Sequence, residues 1–284
     1  AYQPVQLFIN GQYWGLYNAV ERPDAAFSAS YHGGNRDTWD ALNQDSAPDG
    51  DRTAWNRLHA VLNEGMENNE VYQRIQGKNA DGVRDPALEN LLDVENMIDY
   101  MILNFYLGNN DWPGRNHWIG RDREGTEGFQ FYPWDTETTV GLNSDLGTNR
   151  TSVRDAVARP YGAALANDEF RMLFADRVHH HFFDGGALSV NEVAPEWSPT
   201  SPDNNRPAAR FVALADRVER AIVAESARWG DQLSGSPFTL DEHWKEERDT
   251  LLRTYFPKRS KIVLEQLRQA GLYPNVDAPE LSHP

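Results

Sequence analysis

The segment Asn109-Asn110-Asp111-Trp112-Pro113-Gly114-Arg115-Asn116 sets five polar side chains around a Pro-Gly pair. Proline and glycine hold the backbone in a non-repeating shape, so side chains there can be aimed rather than spread along a helix. Asp135 follows Asp111 by 24 residues, and Glu137 comes two residues later. A carboxylate to orient an attacking hydroxyl, with an amide oxygen and a second carboxylate to hold Mg²⁺ on nucleotide phosphates, is the donor set that phosphoryl transfer requires.

Protein kinases place their base Asp and metal-binding Asn five positions apart and their metal Asp after a short β-hairpin. Asp111, Asn116 and Asp135 repeat that order. The spacing alone is weak, and each residue has a plainer reading. Asp111, Asn116 and Asp135 also suit turn caps. Glu137 is either a second metal ligand or a solvated carboxylate. Arg115 either contacts phosphate or pairs with surface carboxylates. His179-His180-His181 is not a metal site on a helix, where consecutive residues point about 100° apart.

Several elements must position these residues. Leu91, Val94, Ile98, Met101 and Phe105 step by three and four, which predicts a long helix ending near Gly108. His117–Gly120 and Gly128–Tyr132 read as two strands joined by the charged turn Arg121–Gly125. Such a hairpin returns its exit towards its entry, so that Asp135 can approach Asp111. Upstream, Val5, Leu7 and Ile9 alternate before Asn10-Gly11, a tight-turn signal, and an aromatic strand resumes at Tyr13-Trp14. A short helix is expected from Asp24 to Ser30, and residues 32–53 read mostly as loop with a strand near Trp39–Leu42. Trp55, Leu58 and Leu62 share a helix face; residues 141–162 read as loop. Asp168 caps a helix carrying Phe170, Phe174, Val178 and Phe182. Phe211, Leu214, Val218 and Ile222 mark another, and a last one runs from near Pro257 to Gly271.

The 284 residues carry a net charge of −16. That argues against nucleic acid and anionic membrane surfaces as partners, since both are bound through clustered Lys and Arg. It suits cations held by carboxylates. The chain has no cysteine, which excludes disulfides and thiol chemistry. No apolar run reaches the roughly 18 residues of a membrane span. The basic residues are lopsided, with 23 Arg and only four Lys, namely Lys78, Lys245, Lys258 and Lys261.

Three ordered motifs resemble the CotH-like (spore coat protein H) family of atypical protein kinases. Asn10-Gly11-Gln12-Tyr13-Trp14-Gly15-Leu16-Tyr17 with Glu21 is similar to the family's NGxYWGxYxxxE signature. Asn110-Asp111-Trp112-Pro113 with Asn116-His117-Trp118 resembles its catalytic loop, and Trp134-Asp135-Thr136-Glu137 its WDxD/WDxE metal motif. The resemblance runs from about Tyr2 to Gly141 and more loosely to Gly271. It implies an α+β, divergent protein-kinase-like fold with a small β-rich N-terminal part and a larger helical C-terminal body. It also implies transfer of the ATP γ-phosphate to protein Ser or Thr with Mg²⁺ (or Mn²⁺). Asp111 is then catalytic, Asn116, Asp135 and Arg115 serve the nucleotide, and Asn116, Asp135 and Glu137 hold metal.

The expected organisation is a partial N-lobe-like region over 1–53, a C-lobe-like body over 54–271 with the loop and hairpin at 109–141, and a linker over 272–284. A strand pattern directly after Ala1, and the likeness of Gly271-Leu272-Tyr273-Pro274 and Asp277-Ala278-Pro279 to the end of this module in exported bacterial proteins, imply a secreted or surface-exposed bacterial parent with flanking domains. The expected partner is a protein substrate or surface protein. Two departures favour an alternative, a catalytically inactive kinase-like binding module. Family members generally carry more chain upstream, and Asn43 stands where they often have the phosphate-binding Lys. Arg22, Arg36 and Arg52 are the nearby cations, but Arg does not replace Lys freely at such sites. A third expectation is an acidic cation-binding structural domain of a surface protein.

Overall fold

The computed structural model describes residues 2–276; the expected linker residues 277–284 lie outside them. It is mixed α+β, with two small sheets drawn from the first half of the chain and a largely helical remainder. Contacts gather into two units, residues 2–22 with 181–260, and residues 23–180 with 261–276.

In the first unit, β1 (Tyr2–Ile9) and β2 (Gln12–Val20) form an antiparallel hairpin through Asn10-Gly11, both left-handed. Asn-Gly supplies the two positive φ angles that this turn type demands. The hairpin packs against α8 (Glu219–Trp229), which follows α7 (Arg206–Ala215). The Glu225 carboxylate accepts from the Leu16 N–H at 2.6 Å and the Tyr13 hydroxyl at 3.0 Å, while the Trp229 indole donates to the Trp14 carbonyl at 2.6 Å. Side chains of α8 thus satisfy outward-facing backbone groups of β2, which a bare sheet edge leaves to solvent. Two π turns, Leu240–Trp244 and Leu251–Tyr255, flank α9 (Lys245–Thr250) and lead into α10 (Phe256–Gln269).

The second unit carries the predicted chemistry. Its sheet has the order β4-β3-β5-β6, all antiparallel, from β3 (Trp39–Asn43), β4 (Ser46–Asp49), β5 (His117–Asp122) and β6 (Gln130–Pro133). Residues 32–53 therefore hold two strands and α1 ends at His32 (Ala25–His32), where mostly loop is expected. Asp24 caps α1 by accepting from the Phe27 N–H at 3.0 Å. The unit's helices are α2 (Thr53–Leu62), α3 (Asn69–Arg74), α4 (Val94–Leu107), α5 (Arg159–Ala164) and α6 (Asp168–Phe182), with α4 packing on α5 and on β6. Helix α5 begins inside the stretch 141–162 expected as loop and runs past its end; Pro160 in its first turn is a start signal.

Helix α4 is the axis of this unit. Asp93 caps it through the Asn96 N–H at 3.0 Å, and Gly108 ends it in a left-handed conformation. Ile98, Met101, Ile102 and Phe105 are buried, with Phe105, Tyr161, Phe170 and Phe174 forming an aromatic chain at centroid spacings of 5.8–6.2 Å. Each such side chain contributes about 1.5–3 kcal/mol on leaving water. Leu91 and Leu92, expected in the helix, instead run extended beside Phe129, because the cap at Asp93 starts the helix later.

Candidate active site

The loop that follows α4 is held by its last turns. Asn104 and Asn109 are both buried, and the Asn109 amide donates to the Asn104 side-chain oxygen at 3.0 Å. The Asn109 oxygen then accepts from the Asp111 N–H at 3.2 Å. Trp112 is buried beneath the loop, its indole donating to the Tyr100 hydroxyl at 2.6 Å, and the peptide to Pro113 is cis. The Arg150 guanidinium donates to the Trp112 carbonyl. The backbone is thus pinned from α4 below and from a distant loop above, leaving Asp111 half-exposed.

Asp111 and Asn116 meet directly. The Asn116 amide nitrogen donates to Asp111 Oδ2 at 2.9 Å. Arg115 Nε lies 3.2 Å from Asp111 Oδ1, an ion pair with the guanidinium 68% exposed. Pairs so open to water contribute about 0–1 kcal/mol, so Arg115 screens Asp111 without fixing it. Next to this trio His117 is buried, its carbonyl accepting from the Asn43 amide at 3.0 Å; burial holds its imidazole below the ordinary range and hence neutral.

At its far end the hairpin is clamped to α4 by Asn96, which accepts from the Phe131 N–H at 2.6 Å. The chain leaving β6 passes Trp134, packed edge-on against Trp118 at 6.4 Å, and reaches Asp135 with φ 52°. It then returns to the end of α4. The Ser144 hydroxyl donates to the Gly108 carbonyl at 2.8 Å, the Val140 N–H points to the Leu107 carbonyl at 3.4 Å, and the Asn110 amide donates to the Asn143 carbonyl. This return lays residues 135–144 alongside the Asp111 loop.

The electrostatics register that approach. The Glu137 carboxyl is pushed above its ordinary range first by its hydrogen bond with Asp135, then by the charges of Asp135 and Asp111. Carboxylates in one another's field disfavour full ionisation of all of them, which a shared proton or a cation relieves. Asn116 spends its amide nitrogen on Asp111, which leaves its oxygen to coordinate, and Asp135 and Glu137 add only hard oxygens. Among the described residues no three Asp, Glu or His side chains form a complete metal site. Mg²⁺ in nucleotide enzymes takes one or two protein carboxylates and completes its shell with phosphate and water, so a partial set is the appropriate one.

Residue order exposes Asp111, Asn116, Asp135 and Glu137. Asn109 and Arg150 are not signalled as supports; Asn109 sits in the motif as one more polar residue, and nothing local marks Arg150. Lys78 donates to Gln76 at 2.9 Å, in a cleft of about 750 Å³ at the start of α4 that is lined by Asp93, Glu95, Asp99, Glu127, Glu169 and Asp176 among others. Its ammonium serves that cleft, some 14 helical residues from the Asp111 end of α4.

No helix among the described residues is long and apolar enough to cross a membrane. No curated protein matches the chain. A comparison with protein families matches residues 1–182 to the family described as CotH kinase protein, which takes in β1 to α6 and every residue of the candidate site. The chain therefore belongs to the CotH kinase family.

Proposed function

We propose that the protein transfers the γ-phosphate of ATP to a Ser or Thr hydroxyl of a protein substrate, with Asp111 as the orienting base and Asn116, Asp135 and Glu137 as the metal-holding set. The observation that carries this reading is the meeting of Asp111 with Asn116 beside the Asp135–Glu137 carboxyl pair. Asp111, held at its N–H by Asn109 and at its carboxylate by Asn116, keeps an oxygen poised to accept a hydroxyl proton. Asn116 and Asp135 flank the open end of the β5–β6 hairpin, where His117 pairs with Pro133. Mg²⁺, when bound, supplies charge neutralisation on the phosphate oxygens. The acidic surface, at a net charge of −16, suits a secreted or surface protein that meets basic substrates.

A second reading, an inactive kinase-like binding module, draws support from Lys78, the only lysine in the chain before Lys245, being engaged with Gln76 in the cleft at the start of α4. One experiment separates the two. ATP binding is measured by calorimetry with and without Mg²⁺ or Mn²⁺, alongside transfer of labelled phosphate to a mixed protein substrate. On the kinase reading, Asp135→Asn loses metal-dependent binding, whereas Asp111→Asn binds ATP and loses transfer. A carbon-detected titration adds a readout independent of turnover, since Mg²⁺ should return the Glu137 carboxyl towards its ordinary range. Metal-independent ATP binding with no transfer supports the inactive module. No nucleotide binding and no Mg²⁺ effect on Glu137 refutes the metal set.

A further inference from the structure

Beyond the candidate active site, the first unit holds a groove of about 620 Å³ between α8 and the π turn Leu240–Trp244. Its apolar surface comes from Ile222, Trp229, Leu233, Phe238 and Trp244. Leu233 is 89% exposed and Phe238 47% exposed, although both are large and apolar. Four carboxylates, Glu225, Glu242, Glu246 and Glu247, share the lining, and no Lys or Arg does. We propose that this groove docks a basic polypeptide segment, one that seats an apolar anchor side chain between flanking Lys or Arg residues.

The groove is built rather than incidental. The loop 231–237 is pinched at its base by the Phe238 N–H, which donates to the Gly230 carbonyl at 2.8 Å. A Cβ at Gly230 would stand 2.5 Å from the Ser226 carbonyl oxygen and 2.7 Å from that of Phe238, so this closure demands glycine on space alone. Trp229 forms a fixed wall, its indole donating to the Trp14 carbonyl at 2.6 Å and its ring edge-on to Trp14 at 5.8 Å. Opposite, Thr239 caps the π turn by accepting from the Glu242 N–H at 3.2 Å, and the Phe238 and His243 rings pack edge-on at 5.0 Å. A π turn widens a helix at a cost in hydrogen-bond geometry and recurs at functional positions. Here it brings Glu242, His243 and Trp244 onto the groove.

Charge decides what fits. Apolar surface left in water at Leu233 and Phe238 calls for an apolar partner group. The rim selects the sign of that group's neighbours. Among the described residues Glu242 and Glu247 have no ion-pair partner, Glu246 meets Arg253 at 3.1 Å across an exposed pair, and Glu225 is held by the hairpin. Two guanidinium groups stack on the groove's tryptophans, Arg228 over the Trp229 ring at 4.4 Å and Arg248 over the Trp244 ring at 5.5 Å, the latter already paired with Glu219 and Asp249. An anionic or purely apolar segment would leave these carboxylates desolvated and unpaired, whereas Lys or Arg beside the anchor would pair them.

The test titrates the full chain into a fluorescein-labelled model peptide, Arg-Lys-Leu-Leu-Lys-Arg, read by anisotropy. Saturable binding is expected, weakened at least about tenfold by Leu233→Ser and by the Glu242→Gln, Glu247→Gln pair. Leu233 and both glutamates are solvent-facing or half-buried, and circular dichroism checks that the variants stay folded. Binding should also weaken as salt rises from about 0.1 M to about 1 M, as the Debye length falls from roughly 10 Å to 3 Å. Equal binding of the matched peptide with Glu for each Arg and Lys, unchanged affinity in both variants, or no binding at all overturns the proposal. So does sedimentation showing that the chain self-associates through the groove, with Leu233→Ser yielding monomer and no peptide bound.

Discussion

Replacing Tyr100 by Phe tests whether α4 pins the Asp111 loop. Both Tyr100 and Trp112 are buried, at 4% and 3% exposure, and the indole N–H reaches the phenol oxygen at 2.6 Å. The substitution removes one oxygen and keeps the ring, which packs 5.5 Å from Phe131 and 5.9 Å from Trp112. Packing losses are therefore small, and the main effect is a buried indole N–H left without an acceptor. That costs about 1–3 kcal/mol. At about 2–4 °C per kcal/mol for a chain of this size, thermal unfolding should fall by roughly 2–12 °C. Trp112→Phe on the Tyr100→Phe background should cost less than it does alone, with a coupling of about 0.5–3 kcal/mol. Tyr255→Phe is the control: its hydroxyl has no hydrogen-bond partner among the described residues, so its loss should be neutral or slightly stabilising. Calorimetry or circular dichroism melts read all three. If Tyr100→Phe melts within about 1 °C of wild type, the indole is satisfied elsewhere and the loop is not held from α4.

Two further perturbations probe the same unit. At Gly128 an added Cβ would stand 2.3 Å from the Leu92 nitrogen and 2.6 Å from that of Asp93, both backbone, so Gly128→Ala should destabilise by about 1–3 kcal/mol or more; an unchanged urea midpoint would show that β6 and the start of α4 slide apart freely. Burial, then the charges of Arg159 and Arg52, push the His59 imidazole down to about 4. A depressed folded value means stability that is present above the unfolded value near 6.5 and lost as pH falls through about 4. His59→Gln should flatten the acid side of the stability profile over that window, and parallel profiles for the two proteins would remove His59 from the cause of acid unfolding.

What could be read in advance follows the range of the forces involved. The Asp111–Asn116 spacing, the hairpin and Asp135 are local in sequence, and the Asn10-Gly11 turn carries its own backbone signal; the start of α6 is one residue off, since Asn167 rather than the expected Asp168 caps it by accepting from the Phe170 N–H at 3.0 Å. Strand β4 was hidden because Ser46-Ala47-Pro48-Asp49 has no strand propensity; it exists at a sheet edge, where Pro48 is tolerated. Phe211, Leu214, Val218 and Ile222 suggest one helix, but the chain breaks at Asp216–Val218 into α7 and α8. The π turns before α10 have no periodic signature at all. In the site, the return of residues 136–144 to the end of α4 and the reach of Arg150 to Trp112 join positions more than 30 residues apart, and no spacing rule announces them.

The backbone itself explains why the two ends of the hairpin are Asn and Asp. Asn116 has φ 58° and Asp135 φ 52°, left-handed conformations that cost most side chains about 1–2 kcal/mol and that Asn and Asp tolerate best after glycine. A chain needing only the turns would be served by glycine at both places. Glycine would supply no oxygen. Asn and Asp satisfy the backbone and present oxygens at once, so conformational demand and the proposed metal-holding role select the same residue types here. Val140 sharpens the point. It is β-branched, gains nothing chemical from its position, and still holds φ 53° in the segment that returns to α4. Such a conformation persists only where the surroundings over-determine it. The bonds from the Val140 N–H and the Ser144 hydroxyl to Leu107 and Gly108 are those surroundings, and they are also what carries Asp135 and Glu137 into the field of Asp111.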